Sequence, residues 1–197
     1  MGLKLGLFGG SFDPPHHAHV ALATAAVQQV PLDALHVLPT GDAWYKPRQL
    51  TDAAHRLEMT RIAFAAVPQA RVDDREMRRA GPSYTIDTLR ELRLEEPAAE
   101  LYLVMGEDQA AAFATWREWT AIAEIATLAI ARRDYAGATQ PPLALPPGVR
   151  HVELRLPLLP GSASDVRRRL AAGQAIDVLV DPRVASYIDH HHLYQPD

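Results

Sequence analysis

The chain contains no cysteine in its 197 residues. Disulfides, thiolate metal sites and a cysteine nucleophile are therefore excluded. No stretch approaches the ~20 apolar residues needed to span a bilayer. The opening "MGLKLGLFGG" lacks a signal-peptide apolar region, and the first serine after Met1-Gly2 is Ser11, so the myristoylation pattern fails. A surplus of positive charge is missing too. The net charge of −4 argues against a nucleic-acid binder that works by neutralising phosphates. Two phosphate-binding signatures are absent as well, the dinucleotide fingerprint G-x-G-x-x-G and the Walker loop ending G-K-[ST]. The expectation is a cytoplasmic protein with neither a membrane nor a nucleic acid as partner. With 48% hydrophobic residues the chain can build one substantial core, and residues 1–197 read as a single domain. The proline-rich "TQPPLALPPG" reads as a surface loop of that domain, and the terminal "HHH" as a surface helix end that complements the helix dipole.

What is present is an alternation of short apolar runs with longer helical patterns. Strands are expected at Leu3–Phe8, "LDALHVLPT", "ARVDD", "ELYLVMG", "IATLAIARR" and "RHVELRL". Helices are expected at Ala18–Val30, Ala53–Val67, Ser83–Glu95, "WREWTAIAE", Ser164–Ala172 and Pro182–His190. This repetition predicts an α/β fold, a doubly wound parallel sheet with helices on both faces. Ligands of such sheets bind beyond the carboxyl ends of the strands, at a topological switch point. Gly9-Gly10, Pro39-Thr40 and Gly106-Glu-Asp108 fall at such ends.

The stretch "GLFGGSFDPPHHAHVALATAAV" joins a strand to a helix through glycines, prolines and histidines. Gly9 and Gly10 allow backbone to approach a ligand without a Cβ in the way. The helix start offers free N–H groups and partial positive charge, which suits a phosphate. His16 and His19, three apart, share one side of the first turn and can both donate to phosphate oxygens. The basic clusters Arg75–Arg79 and Arg167–Arg169 are further candidates for meeting phosphates. A histidine metal site lacks an obvious third ligand nearby, so no metal-ligating residues are assigned.

"GGSFDPPHHAH" resembles the G-G-[ST]-F-D-P-x-H-x-G-H signature of the HxGH nucleotidyltransferase superfamily, whose members have a Rossmann-like fold. Ala18 stands where that signature usually has glycine. "SASDVRRRL" resembles the superfamily's second signature, [ST]-x-[ST]-x-[IV]-R, through Ser162, Ser164 and Arg167. "GPSYTIDTLREL" and "LYLVMGEDQAAAFATWREW" are similar to segments of the bacterial nicotinate-nucleotide adenylyltransferases, and the resemblance runs from Leu5 to "VASYIDHHHLY".

The resemblance implies an ATP site at Gly9, Gly10, Ser11, Phe12, His16, His19, Ser162, Ser164 and Arg167. His16 and His19 would be the catalytic pair, with His19 on the α-phosphate. A pyridine mononucleotide would be held by Lys46, Tyr84, Thr85, Gly106, Asp108, Trp116 and Arg132, its ring on Trp116. Core packing is the simpler reading of Trp119. The implied reaction is attack by the mononucleotide phosphate on the α-phosphorus of ATP, releasing pyrophosphate. Mg²⁺ would be bound through the ATP phosphates. Adenylylation of nicotinamide mononucleotide or phosphopantetheine, and a non-catalytic nucleotide sensor, stand as alternatives. Oligomeric state is left open, a homodimer among the options.

Overall fold

The computed structural model describes residues 2–41, 49–133 and 142–195. Six strands form one sheet: β1 Lys4–Gly10, β2 Ala34–Pro39, β3 Ala70–Val72, β4 Glu100–Gly106, β5 Ala126–Arg133 and β6 His151–Leu156. Their order is β3-β2-β1-β4-β5-β6, and each neighbouring pair is parallel. This is the doubly wound order, with its switch point between β1 and β4.

Alternation along the strands divides the core between the two faces. Leu5, Leu7, Leu101, Leu103, Met105, Leu128 and Ile130 face α4 (Thr85–Glu95) and α6 (Trp119–Ile125). Phe8, Leu35, Val37, Val104 and Ala129 face α1 (His17–Gln29), α2 (Ala53–Phe64), α7 (Ala163–Ala171) and α8 (Pro182–His190). Each fully buried Leu, Ile or Phe contributes about 2 kcal/mol of transfer free energy. Gly6 is tightly packed on the second face: a Cβ there would come within 2.6 Å of Leu32 and Leu35.

Helix starts follow short polar signals. Asp52 caps α2 by accepting from the Ala54 N–H at 2.8 Å, and Asp181 caps α8 by accepting from the Arg183 N–H at 2.8 Å, with Pro182 as the first helical residue. Among the described residues, no helix is long and apolar enough to cross a membrane.

The sequence reading missed two short helices, α3 (Arg75–Arg78) and α5 (Glu107–Ala111), and the 3₁₀ turn Phe113–Thr115. It also made "WREWTAIAE" one helix. Trp116 is instead extended, and Glu118 adopts a left-handed conformation (φ 52°) that redirects the chain before α6 begins at Trp119. The two tryptophans therefore share no helical face, although both pack beside Phe113 at 5.9 and 6.0 Å between centroids.

The strand register opens a crevice. β1 pairs with β2 through Gly10, and β4 with β5 through Gly106, yet β1 and β4 pair with each other only as far as Leu7 and Leu103. The last three residues of each central strand diverge from one another while holding their outer neighbours. Among the described residues, no atom lies within 4 Å of a Cβ built on Gly9 or Gly106.

Candidate active site

The chain leaves β1 through Ser11, Phe12 and Asp13 and enters α1 at His16, which is the N-cap. The Phe12 side chain is in the core, 1% exposed, at a positive φ of 43°. Only its backbone can face a nucleotide. Its ring packs edge-on against Phe8, Phe64 and the His19 imidazole, 5.1 Å away. A Cβ on Gly10 would come within 2.9 Å of this ring, so the second glycine makes room for Phe12 and the first faces the crevice.

His16 and His19 form the centre. The His16 backbone N–H donates to His19 Nδ1 at 3.2 Å, and the two rings stack at 3.7 Å. The His19 N–H also donates to the His16 carbonyl at 2.9 Å. With Nδ1 accepting, a neutral His19 carries its proton on Nε2 and presents a donor there. Among the described residues, His16 Nδ1 is buried without a hydrogen-bond partner. Burial chiefly, and then His17, lower the His16 pKa to about 4 against a weak opposing pull from Asp165. It is neutral at pH 7.

The second signature reaches the same place. Ser162 caps α7 by accepting from the Asp165 N–H at 3.2 Å. Arg167 donates to Ser164 Oγ at 3.0 Å and to the Asp13 carbonyl at 2.6 Å, which ties α7 to the loop after β1. Of the other basic residues, Arg168 pairs with Asp165 within its own helix and Arg169 donates to the Ala175 carbonyl.

The arginines of the Arg75–Arg79 cluster are paired with acidic side chains. Arg75 pairs with Asp73 at 2.7 Å and Glu95 at 3.0 Å, and Arg79 with Glu91 at 2.6 Å, so these guanidinium groups are committed to carboxylates.

A second group of residues gathers on the α4 side. Tyr84 is the N-cap of α4 and Thr85 its first residue, so the first-turn N–H groups point toward the strand ends. The Arg117 guanidinium lies 4.4 Å over the Tyr84 ring, and Arg90 donates to Glu118 at 2.6 Å. These contacts fasten the Trp116 turn to α4. Trp116 is half-buried, Asp108 is exposed in the first turn of α5, and Gly106 is that helix's N-cap. Arg132 is buried beside Glu107 at 3.3 Å and Glu153 at 3.5 Å. Lys46 lies outside the described residues.

Several buried polar residues that hold this edge together gave no signal in the sequence. Arg56, 2% exposed, donates to the carbonyls of Ser11, Thr40, Thr51 and Gly41 at 3.1, 2.8, 2.9 and 3.4 Å. It binds the loops after β1 and β2 to α2. Glu76 accepts from the hydroxyls of Thr40 and Thr88, and burial raises its pKa. The histidine tract is exposed at the end of α8, as expected, with His190 in the last turn. His191 packs against Tyr187 and His55, and desolvation together with neighbouring histidines lowers its pKa, opposing the charge a helix dipole would favour.

Taken together, the crevice offers imidazoles, hydroxyls, guanidinium groups and helix N-termini, a set suited to anions. Among the described residues, no group of three or more His, Asp or Glu stands together to hold a metal ion.

Comparison with known proteins shows the family and the fold. The cytidylyltransferase-like family matches residues 7–169. A protein of Albidiferax ferrireducens, named probable nicotinate-nucleotide adenylyltransferase, is 46% identical over 98% of this chain and 98% of its own. A protein of Chromobacterium violaceum with the same name is 40% identical over 99% of this chain and 100% of its own. Among solved structures, the Plasmodium falciparum nicotinic acid mononucleotide adenylyltransferase complexed with NaAD superposes with a TM-score of 0.80. It covers 98% of this chain and 97% of its own at 20% identity, which is a likeness of fold.

Proposed function

The chain belongs to the nicotinate-nucleotide adenylyltransferases of the cytidylyltransferase-like family, and on that premise we propose that residues 1–197 act as one domain transferring AMP from ATP to nicotinic acid mononucleotide. The products are nicotinic acid adenine dinucleotide and pyrophosphate. The observation that supports this reading is the divergence of β1 and β4 past Leu7 and Leu103, together with the stacked His16 and His19 at the start of the helix that follows β1.

A phosphate oxygen of the mononucleotide attacks the α-phosphorus of ATP, and the bond from that phosphorus to the oxygen bridging to the β-phosphorus breaks. The attacking oxygen is already anionic near neutral pH, so no side chain needs to remove a proton. The chain's task is alignment of two anions and stabilisation of charge that grows toward the leaving pyrophosphate. His19 Nε2–H donates to the α-phosphate region, held in direction by the bond at Nδ1 and by the Phe12 edge. His16 stacks on His19 as a neutral partner. The amides after β1 and at the start of α1, with Ser162, Ser164 and Arg167, hold the phosphates. Gly9 leaves backbone room for them. Mg²⁺ carried by the ATP phosphates would offset triphosphate charge, while the loop amides, Ser162, Ser164 and Arg167 hold the same phosphates.

For the acceptor, Trp116 supplies the face for the pyridine ring and the α4 N-terminus at Tyr84 and Thr85 supplies donors for its carboxylate. Arg132, Asp108 and Gly106 complete the β4–β5 edge, and Lys46 is assigned to the phosphates from sequence alone. Pyrophosphate release from MgATP should be measured with nicotinic acid mononucleotide, nicotinamide mononucleotide, phosphopantetheine and no acceptor in parallel. Strong preference for the nicotinic acid form is expected. Release only with phosphopantetheine would overturn the acceptor site, and none with any acceptor would overturn the enzyme.

A further inference from the structure

Asp13 is fully buried in the loop that carries the histidines, and its contacts come from three distant parts of the chain. The Tyr194 hydroxyl donates to Asp13 Oδ1 at 2.6 Å, and the Thr51 N–H approaches Oδ2 at 3.4 Å. The backbone carbonyl of the same residue accepts from Arg167 Nη1 at 2.6 Å. Asp13 thus receives the C-terminal segment on its side chain and the α7 arginine on its backbone. Neither Tyr194 nor the tail that bears it belongs to a strand end or to either signature.

The tail is built to deliver this hydroxyl. After α8 the chain turns through two non-glycine residues in left-handed conformations, His192 at φ 52° and Tyr194 at φ 63°. Such conformations are sparsely populated and persist where the surroundings hold them. Here Leu193 and Tyr194 pack against the core face of α1, α2 and α8, and the Leu193 N–H donates to the Ile188 carbonyl at 3.0 Å. Burial and the Asp13 charge raise the Tyr194 pKa, so the hydroxyl stays a donor throughout the physiological range.

We propose that Tyr194 is a positioning residue for the ATP side of the site: through Asp13 it fixes the backbone carbonyl on which Arg167 rests, and so sets where the Arg167 guanidinium meets the triphosphate. The proposal rests on the adenylyltransferase reading above. A hydrogen bond to a charged acceptor is strong enough for its loss to move an affinity by about tenfold. Because Arg167 also bonds Ser164, loosening Asp13 shifts the arginine without freeing it. The mononucleotide side, fastened by Arg117, Tyr84 and the Arg90–Glu118 pair, shares none of these contacts.

The test uses the full chain and steady-state pyrophosphate release. Tyr194→Phe keeps the ring and removes the hydroxyl. It is expected to raise the KM for MgATP about tenfold, while the KM for nicotinic acid mononucleotide stays near the wild-type value. Tyr187→Phe is the control, because its hydroxyl pairs with His55 at 3.0 Å on the same C-terminal region and does not touch Asp13. It should leave the KM for MgATP unchanged. In the double variant Tyr194→Phe with Arg167→Lys, the two losses should fall short of multiplying, since one acts through the other. A Tyr194→Phe enzyme with wild-type KM for MgATP, or with both KM values raised alike, would overturn the positioning role. So would losses that multiply. An inactive wild-type enzyme would overturn the adenylyltransferase reading itself and is distinguished from these outcomes at the first assay.

Discussion

The His16 backbone N–H donates to His19 Nδ1 at 3.2 Å while the two imidazoles stack at 3.7 Å. One contact thereby selects the tautomer of His19 and orients its remaining nitrogen, and the stack keeps the neighbouring ring out of water.

This arrangement has a pH signature. His16 has its pKa lowered by burial from 6.5 to about 4. Between those values the unfolded chain binds a proton that the folded chain does not, so stability falls as pH drops through this window and is fully retained above it. His16→Gln, which cannot titrate, should flatten the urea-denaturation midpoint between pH 6.5 and 4. An equally steep decline in the variant would show that other groups cause it.

The two loop glycines should behave differently. A methyl on Gly9 meets no atom of the described residues within 4 Å, whereas one on Gly10 comes within 2.9 Å of the Phe12 ring. Gly9→Ala is expected to fold with stability unchanged or raised by up to ~1 kcal/mol, yet to bind ATP weakly. Gly10→Ala should lose about 1–3 kcal/mol as Phe12 is displaced. Thermal melts and calorimetric titration with an ATP analogue separate the two.

Arg56 is a stability residue with a functional consequence. Four backbone carbonyls depend on it, from the loops after β1 and β2 and the start of α2. Arg56→Met should cost about 3 kcal/mol. Arg56→Lys should recover only part of this, because a single ammonium does not span the same acceptors. Urea denaturation measures both.

The tryptophans divide between function and packing. Trp116→Ala should raise the KM for the mononucleotide about tenfold through lost stacking, with the KM for MgATP little changed. Trp119→Ala should instead lower stability by about 2 kcal/mol, since Trp119 packs on Phe113 at the start of α6. The reverse pattern would move the ring platform to Trp119.

Much of the fold was legible because strand alternation and helix caps are local. The glycine turn, the His16 N-terminus of α1 and the Ser162 cap of α7 likewise announce themselves within a few residues. Other features depend on partners far away in the chain. Arg56 looks like an ordinary helix-surface arginine until the loops close over it, and Tyr194 meets Asp13 across 181 positions. Phe12 reads as part of a binding loop because its neighbours are glycine and serine, but its positive φ turns the ring into the core. The Trp116–Trp119 spacing imitates a helix, and the left-handed Glu118, held by Arg90, breaks it. Arg75 and Arg79 resembled a phosphate site because their partners Glu95 and Glu91 lie on α4, outside the local stretch.

The measurement that reaches the centre of this account is formation of nicotinic acid adenine dinucleotide from MgATP and nicotinic acid mononucleotide by the wild-type chain and by His19→Ala. The expected result is product from the wild type and a kcat lowered by roughly two to four decades in the variant, the scale of losing one or more preorganised donors, with an unchanged melting temperature. A variant that turns over at the wild-type rate would contradict the role of the stacked histidines at the β1–β4 crevice.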